Sequence, residues 1–292
     1  MSEGTGQGGA VLGPNRYGKA ETRVVHIDRR AGGDRLTDLN VSVALAGDLT
    51  ASHLVGDNTH VLPTDTQKNT VYAFARDGIG APEAFALRLA RHFVATQAQI
   101  AAAHVDIEAF AWERSAAHSF RRDGSEVRTV RVEHDEAGTL VVSGLRDPVV
   151  LTTTDSEFAG FATDGYTTLA PTRDRVLATA IAARWRCSAG DEPDGWDDRY
   201  VRVRDRLLAA FAGTYSYALQ QTLYAMGARV IDEVPEVVEI RLTLPNRHHF
   251  LVDLSPFGLD NPNAVYHAAD RPYGLIEGTV LRAGVGADPR AW

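Results

Sequence analysis

The sequence of 292 residues has very little cysteine, and Cys187 is its single example. An intramolecular disulfide is therefore excluded, and so is a zinc site built from several cysteine ligands. A lone cysteine also suits a reducing compartment. Long apolar runs are missing as well, since none approaches the roughly 20 residues that a membrane-spanning helix needs. The N-terminus has no secretory signal pattern, and the last residues are not the Ser-Lys-Leu peroxisomal address. We therefore expect a cytoplasmic protein that does not bind membranes.

An excess of positive charge is also missing, because the formal net charge is -8. Binding to nucleic acid depends on neutralising phosphates with basic side chains, so a general nucleic-acid binder is not expected. Gly4, Gly6 and Gly9 fit the G-x-G-x-x-G spacing. No strand-like segment precedes them and no helical one follows, so we do not interpret them as a dinucleotide site. A small molecule or another protein is the expected partner.

What is present is a pattern of strands and helices that occurs twice along the chain. Hydrophobic residues make up 44% of the sequence, which is enough for one large domain or two medium ones. Short turns between consecutive strands favour an α+β fold with an antiparallel sheet and helices on one face. We expect two similar units, residues 14–145 and 146–282, between flexible tails at 1–13 and 283–292. Strands are predicted near 20–30, 38–47, 105–112, 127–133, 139–144 and 181–187, and helices near 81–103 and 197–230.

A polar pair lies in the apolar run from Leu244 to Ser255. If this run is one strand, Asn246 and His248 project to the same face and His249 projects to the other. The pair can then meet one small ligand, although a histidine on a strand is more often structural. Adjacent strand histidines cannot readily chelate one ion, and no second cluster has metal-ligand spacing, so no metal is expected.

Three further segments make the pattern specific. They are Asn15-Arg16-Tyr17-Gly18-Lys19, the pair Gly56–Thr59 and Pro63–Tyr72, and the group of Phe158–Phe161, Tyr166–Leu169 and Asp174-Arg175. Together with the run above they resemble the urate oxidase (uricase) family from about residue 14 to residue 282. The resemblance implies two tandem tunnelling-fold (T-fold) units, whose helix-backed antiparallel sheets close into a tunnel-forming barrel on oligomerisation.

The resemblance also implies an activity and its partners. Urate would react with dioxygen and water to give 5-hydroxyisourate and hydrogen peroxide, with no metal or flavin cofactor. The expected assembly is a homotetramer with its active sites at subunit interfaces. In the family pattern, Lys19 and Thr64 form the proton acceptor and Asp65 anchors the turn beside the substrate. Taken alone, Lys19 is typical of a surface charge, and Thr64 with Gln67 matches a helix capping box.

The same resemblance assigns the substrate contacts. Phe158 would stack on the purine, Arg175 and Gln220 would grip it, and Leu219 would offer its backbone N–H. Asn246 would hold water or dioxygen above the ring, and His248 would relay protons to Thr64 and Lys19. Each residue also has a plainer interpretation, because phenylalanines are usually core residues and helical arginines and glutamines are usually on the surface.

Two alternatives stay open at this point. One is another T-fold enzyme acting on a purine or pterin, such as a cyclohydrolase-like or aldolase-like relative. Its zinc-dependent members need a cluster of cysteine and histidine ligands, which this sequence does not offer. The other is a purine-binding or scaffold protein without catalysis. Such a protein would need Arg175, Gln220 and Phe158 but would have no use for Lys19, Thr64 and Asn246.

Overall fold

The computed structural model describes residues 9–188, 195–269 and 271–291. The chain divides into two compact units, Met1–Ser143 with Pro289–Trp292 and Gly144–Asp288. This division lies close to the predicted boundary between residues 145 and 146. Residues 1–8 of the predicted N-terminal tail, with Gly4 and Gly6, lie outside the described part of the chain.

The first unit is a helix-backed antiparallel sheet. Its strands are β1 (Tyr17–Asp28), β2 (Arg35–Gly47), β3 (Ile100–Ala116), β4 (Ser119–Asp135) and the first residues of β5 (Gly138–Thr152), and its helices are α1 (Thr50–Val55), α2 (Thr64–Arg76) and α3 (Pro82–Thr96). The strands follow the order β1-β2-β3-β4-β5, and β1 to β4 pair antiparallel. The predicted α+β class with an antiparallel sheet is confirmed.

Alternating burial explains why this sheet forms. Leu39, Val41, Val43 and Leu45 of β2 are all buried, whereas the residues that alternate with them from Asn40 to Ala46 are only partly buried, as in a half-buried strand. Helix α3 packs against β3 and β4 and covers this unit's core. The prediction of a helix over 81–103 is too long, because β3 begins at Ile100 and takes that residue into the sheet.

The second unit has the same kind of architecture. Its strands are the rest of β5, β6 (Leu177–Cys187), β7 (Val237–Asn246), the short pair β8 (His249–Leu251) and β9 (Tyr266–Ala268), and β10 (Gly274–Leu281), and its helices are α4 (Trp196–Gly213) and α5 (Leu219–Glu233). The order in the main sheet is β5-β6-β7-β10, and β7 pairs antiparallel with both β6 and β10. Helix α5 packs on β7 and β10, and α4 packs on α5.

The single long helix predicted over 197–230 is wrong. The backbone is extended at Thr214 and at Ala218, which ends α4 and lets α5 begin separately. Ser216 lies between them in a parallel β-bridge with Ser156. Tyr215, which lies in the break between the two helices, is 42% exposed. Among the described residues, none of the helices combines the length and the apolar character needed to cross a membrane.

The C-terminal segment, predicted as a flexible tail, is anchored in the structure. The backbone N–H of Asp288 donates to Glu239 Oε2 at 3.2 Å, and Arg186 Nη2 donates to the Gly286 carbonyl at 2.6 Å. Ala291 is fully buried in a small cluster of the first unit with Leu140 and Val142. The small and polar residues of this segment gave no sign of these contacts in the sequence, because the partners lie far away along the chain.

Candidate active site

A cavity of about 240 Å³ opens in the second unit. Pockets for drug-sized ligands are about 300–1,000 Å³, so this volume suits a smaller molecule. The lining residues come from separate segments of that unit and are Phe158, Leu169, Ala170, Thr172, Arg175, Val176, Leu219, Gln220, Asn246, His248, His249, Phe250 and Ile276. Six of the nine residues predicted for the site from the sequence are among them, and the structure thus brings these six together.

Phe158 is held firmly at the wall of this cavity. Its N–H donates to the Thr172 carbonyl at 2.8 Å, and its carbonyl accepts from the Thr172 N–H at 3.0 Å. The Phe161 ring stacks on it with centroids 5.0 Å apart and planes inclined by 15°. The half-buried ring of Phe158 is therefore a fixed apolar platform on which a flat heterocycle can stack.

Arg175 lies beside this platform. Its Nε donates to Ser156 Oγ at 3.0 Å, and its backbone N–H donates to the Ser156 carbonyl, also at 3.0 Å. The guanidinium carbon is 5.4 Å from the centroid of the Phe158 ring. Burial lowers the pKa of Arg175 from its ordinary value, yet a guanidinium stays protonated at neutral pH. Because Nε is already bonded to Ser156, the terminal Nη groups are the donors of this side chain that can bind an anion in the cavity.

The start of α5 forms another part of the wall. Ala218 is the N-cap residue and Leu219 is the first residue of the helix, so the N–H groups of Leu219 and Gln220 have no acceptor within the helix. This end of a helix favours negative charge. The side chain of Gln221 turns away, and its Oε1 accepts the N–H of Tyr217 at 3.1 Å. Gln220 is the glutamine that lines the cavity.

Asn246 and His248, at and just beyond the end of β7, lie in a different backbone geometry from the predicted one. Strand β7 ends at Asn246, and the N–H of Arg247 bonds the Ala178 carbonyl at 2.8 Å. His248 thus lies in the short irregular link between β7 and β8, where the alternation of side chains along a strand no longer applies. His249 also lines the cavity, so the prediction that it points away is wrong.

The environment of His248 sets its charge. Burial lowers the pKa of His248 below its ordinary value, and the positive charge of Arg175 lowers it further. The ring stacks against Phe250 with centroids 5.7 Å apart. At neutral pH His248 is therefore a neutral imidazole, with one nitrogen that donates and one that accepts a hydrogen bond.

The remaining three predicted residues, Lys19, Thr64 and Asp65, belong to the first unit. Lys19 is on β1, and α2 begins at Thr64. Asp65 makes an ion pair with Lys68 and accepts from Asn69 Nδ2 at 3.0 Å. The hydrogen bond from Lys68 is the main cause that lowers the pKa of Asp65, and the charge of Lys19 also contributes. Helix α2 packs against β1, the strand that carries Lys19.

The capping-box interpretation of Thr64 and Gln67 is wrong. Pro63 is the N-cap residue of α2, and no side chain caps this end of the helix. Gln67 is fully buried, and its Nε2 lies 3.4 Å from the Leu62 carbonyl. The hydroxyl of Thr64 is not used as a helix cap.

Two features of β1 fix the backbone on either side of Lys19, and the sequence pattern did not reveal them. The Tyr17 hydroxyl donates to the Leu62 carbonyl at 3.0 Å and ties β1 to the loop before α2. The pairing with β2 is irregular between Lys19 and Thr22, and the Glu21 N–H in this bulge donates to Ser42 Oγ at 3.0 Å. Bulges of this kind redirect side chains and are frequent beside active sites.

Sequence reasoning also missed Ser156, which is fully buried and holds Arg175. A serine two residues before an aromatic gives no distinctive signal on its own. Within the part of the chain that the structure describes, no group of three or more His, Cys, Asp or Glu side chains is arranged to hold a metal ion.

Comparison with known proteins gives consistent matches over nearly the whole chain. A family model described as Uricase matches residues 15–133 and 141–277. A uricase from Arthrobacter globiformis is 51% identical over 284 residues, which are 97% of this chain and 93% of that protein. A uricase from Danio rerio is 37% identical over 279 residues, which are 91% of this chain and 93% of that protein.

Solved structures give the same result. The crystal structure of the Arthrobacter globiformis uricase matches with a TM-score of 0.92 and 51% identity, over 96% of this chain and 97% of that chain. The crystal structure of a uricase from Bacillus fastidious matches with a TM-score of 0.79 and 25% identity, over 91% of this chain and 93% of that chain.

Proposed function

The chain belongs to the uricase family, and from this premise we propose that it oxidises urate with dioxygen and water to 5-hydroxyisourate and hydrogen peroxide. One observation carries the proposal. A single cavity combines an aromatic platform, an arginine, the amides of a helix start and a neutral imidazole. These groups match a flat, anionic molecule that carries hydrogen-bond donors and acceptors around its edge.

Urate would bind by stacking on Phe158, with its edge towards Arg175. The terminal Nη groups of Arg175 can give two parallel hydrogen bonds to a carbonyl oxygen and the adjacent ring nitrogen, a geometry that lysine cannot copy. The amide of Gln220 would pair with another edge of the purine, and the Leu219 N–H would donate beside it. Charge attraction and the helix start both favour the anionic form of the substrate.

The electrons for the reaction would come from urate itself. Removing a proton from bound urate gives an electron-rich dianion that can reduce dioxygen. In total, urate gives up two electrons and two protons, and dioxygen leaves as hydrogen peroxide. Water then adds its hydroxyl to ring carbon C5 and its proton to a ring nitrogen. Because the substrate is the reductant, we propose that no metal or flavin takes part.

Lys19 and Thr64 are proposed as the proton acceptor, with Asp65 supporting the turn that presents Thr64. A hydroxyl beside an amine can pass a proton from substrate to lysine, provided that the amine is neutral at that moment. Asn246 is proposed to hold water or dioxygen above the stacked ring. His248, which is neutral, would relay protons between that position and Thr64.

We further propose a homotetramer whose sites combine residues of two subunits. The sheet of the first unit ends at β1, where Val25 and Ile27 are 54% and 44% exposed, and that of the second unit ends at β10, where Leu275 is 54% exposed. Open edges with apolar side chains favour closure by another copy of the chain. The single cysteine supports a cytoplasmic location.

The proposal is tested by mixing chelator-treated protein with urate in oxygenated buffer. We expect loss of the near-ultraviolet absorbance of urate, with equal molar amounts of dioxygen consumed and hydrogen peroxide released. Activity that disappears on chelation and returns with one added metal would contradict the cofactor-free reaction. Binding of urate without turnover would instead identify a purine-binding protein, and the absence of both would favour another T-fold activity.

A further inference from the structure

Three buried hydroxyl side chains lie behind the wall of the cavity. Ser156 is 0% exposed, and Ser216 and Thr222 are each 1% exposed. Thr222 Oγ1 donates to Ser216 Oγ at 2.8 Å. None of the three is among the residues that line the cavity, so they do not meet a ligand directly. Burying a hydroxyl group lowers the stability of the fold unless the hydroxyl forms hydrogen bonds inside the protein.

Ser156 fixes Arg175 at two points. The backbone N–H of Arg175 donates to the Ser156 carbonyl and Arg175 Nε donates to Ser156 Oγ, both at 3.0 Å. The second bond restricts rotation of the guanidinium about the side chain and directs its terminal groups. Without Ser156 Oγ, the half-buried Nε–H would lose its acceptor and the side chain would turn to find another.

Ser216 connects the same segment to the start of α5. Its N–H donates to the Asp155 carbonyl at 2.9 Å, and its carbonyl accepts the Glu157 N–H at 2.8 Å. Thr222 lies in the first turn of α5, and its hydrogen bond to Ser216 holds that turn against the bridge. The segments that carry Arg175 and Gln220, which both line the cavity, are thereby joined through one buried junction.

We infer that Ser156, Ser216 and Thr222 are positioning residues that set the spacing between Arg175 and the first turn of α5 before substrate arrives. The inference rests on the proposed function and identifies how the same site achieves its affinity for a purine anion. A pre-arranged arginine loses little conformational freedom on binding, so more of its interaction energy appears as affinity. The junction should therefore affect substrate binding, and turnover only slightly.

The first test is Ser156→Ala, assayed for urate oxidation and for urate binding under anaerobic conditions, where no turnover occurs. We expect the KM and the anaerobic Kd to rise by about 10-fold, as for loss of a hydrogen bond to a charged group. We expect kcat to stay within about 2-fold, because uniform loss of binding does not change the chemical step. Thr222→Val should raise KM by a smaller factor, about 3-fold.

A double-mutant cycle tests whether Ser156 acts through Arg175. In the background of Arg175→Ala, adding Ser156→Ala should change the anaerobic Kd by less than about 2-fold, because the interaction is already lost. Equal effects of Ser156→Ala in both backgrounds would overturn the assignment. If the Ser156→Ala chain fails to fold, Ser156→Cys can replace it, because cysteine has a similar volume and its sulfur is a weaker hydrogen-bond acceptor. An unchanged KM in Ser156→Cys would also overturn the assignment.

Ser143→Ala is the matched control. Ser143 is also a buried serine bonded to a charged side chain, since its hydroxyl donates to Glu83 Oε1 at 2.8 Å, but it belongs to the first unit. This control should lower the melting temperature and leave KM unchanged. If Ser156→Ala behaves in the same way, Ser156 is only structural and the inference fails while urate oxidation stands. A parent protein that neither binds nor oxidises urate overturns the proposed function and the inference together.

Discussion

At the scale of single residues, the cavity holds one protonated group and one neutral group side by side. Arg175 stays protonated despite its burial, whereas burial and the charge of Arg175 hold the pKa of His248 below its ordinary value. A neutral imidazole can accept a proton and donate another, which an imidazolium cannot do. The arginine that is proposed to bind the substrate therefore adds to the effect of burial, which is the main cause of the lowered pKa of His248.

Removing the charge of Arg175 should raise the pKa of His248. We expect the pKa of His248 to lie below its ordinary value in the parent and to move upward in Arg175→Gln, without exceeding the ordinary value, because burial persists. Titration of the histidine ring signals by NMR measures this. Arg173→Gln is the matched control, since Arg173 is 83% exposed and should leave the titration unchanged. An unchanged pKa in Arg175→Gln would remove the electrostatic link between the two residues.

Lys19→Met should mainly lower turnover, whereas Arg175→Ala should mainly weaken the binding of urate. Loss of a positioned proton acceptor should lower kcat by about 10² to 10⁴-fold with little change in urate binding. Loss of the arginine should chiefly weaken binding, which anaerobic Kd measurements detect. Arg173→Ala should change neither quantity by more than about 2-fold, as expected for an exposed surface substitution. Turnover by Lys19→Met within a few-fold of the parent would require another base.

At the scale of elements, the backbone of β1 determines where Lys19 lies. A β-carbon on Gly18 would lie 1.8 Å from the Val43 carbonyl oxygen of β2. Such a contact is impossible, so glycine is required for the close approach of these two strands just before Lys19. The bond from the Tyr17 hydroxyl to the Leu62 carbonyl then links the same strand to the start of α2.

Gly18→Ala should therefore impair the reaction without touching any proposed contact to urate. The strand must shift to relieve the clash, and a displacement of about 1 Å can cost about 10²-fold in rate. We expect kcat to fall by about that factor, as measured by steady-state oxidation of urate. Gly213→Ala is the matched control, because a β-carbon there meets nothing within 4 Å. Equal activity of the two variants would show that β1 tolerates the shift.

The elements also show which features a sequence can predict. The alternation of Leu39, Val41, Val43 and Leu45 reports local backbone geometry, and the structure confirms it. The break between α4 and α5 depends on the bridge of Ser216 to Ser156, whose partners are 60 residues apart. Local apolar spacing contains no information about such a pairing, so the two helices were predicted as one.

In the candidate site, too, local sequence patterns could not reveal contacts that depend on residues far apart in the chain. The family resemblance was sufficient to select the six residues that line the cavity. Local patterns gave no indication of Ser156, which acts from behind the wall, and they led to the wrong direction for His249, which lines the cavity just after β7 has ended. Both depend on how the chain leaves regular secondary structure, which periodicity does not describe.

At the scale of the whole molecule, the proposed catalytic groups are divided between the two units. The cavity residues belong to Gly144–Asp288, and Lys19, Thr64 and Asp65 belong to the other unit. A symmetric assembly can bring the first unit of one copy to the cavity of another, and closed symmetry would repeat this site identically in every subunit. The proposal of shared sites can thus be tested by combining chains with different lesions.

Mixing Thr64→Ala with Arg175→Ala should restore activity that neither variant has alone. If each site takes one half from each of two chains, random exchange at equal concentrations leaves about a quarter of the sites with both halves intact. We therefore expect about a quarter of the parent rate after reversible dissociation and reassembly, with subunit exchange verified by native mass spectrometry. Mixing Thr64→Ala with Lys19→Met is the control, because both lesions lie in the same half and every shared site keeps one of them. Continued inactivity of the first mixture after verified exchange would place the whole site within one chain, whereas recovery in the control mixture would show that a site takes Lys19 and Thr64 from different chains.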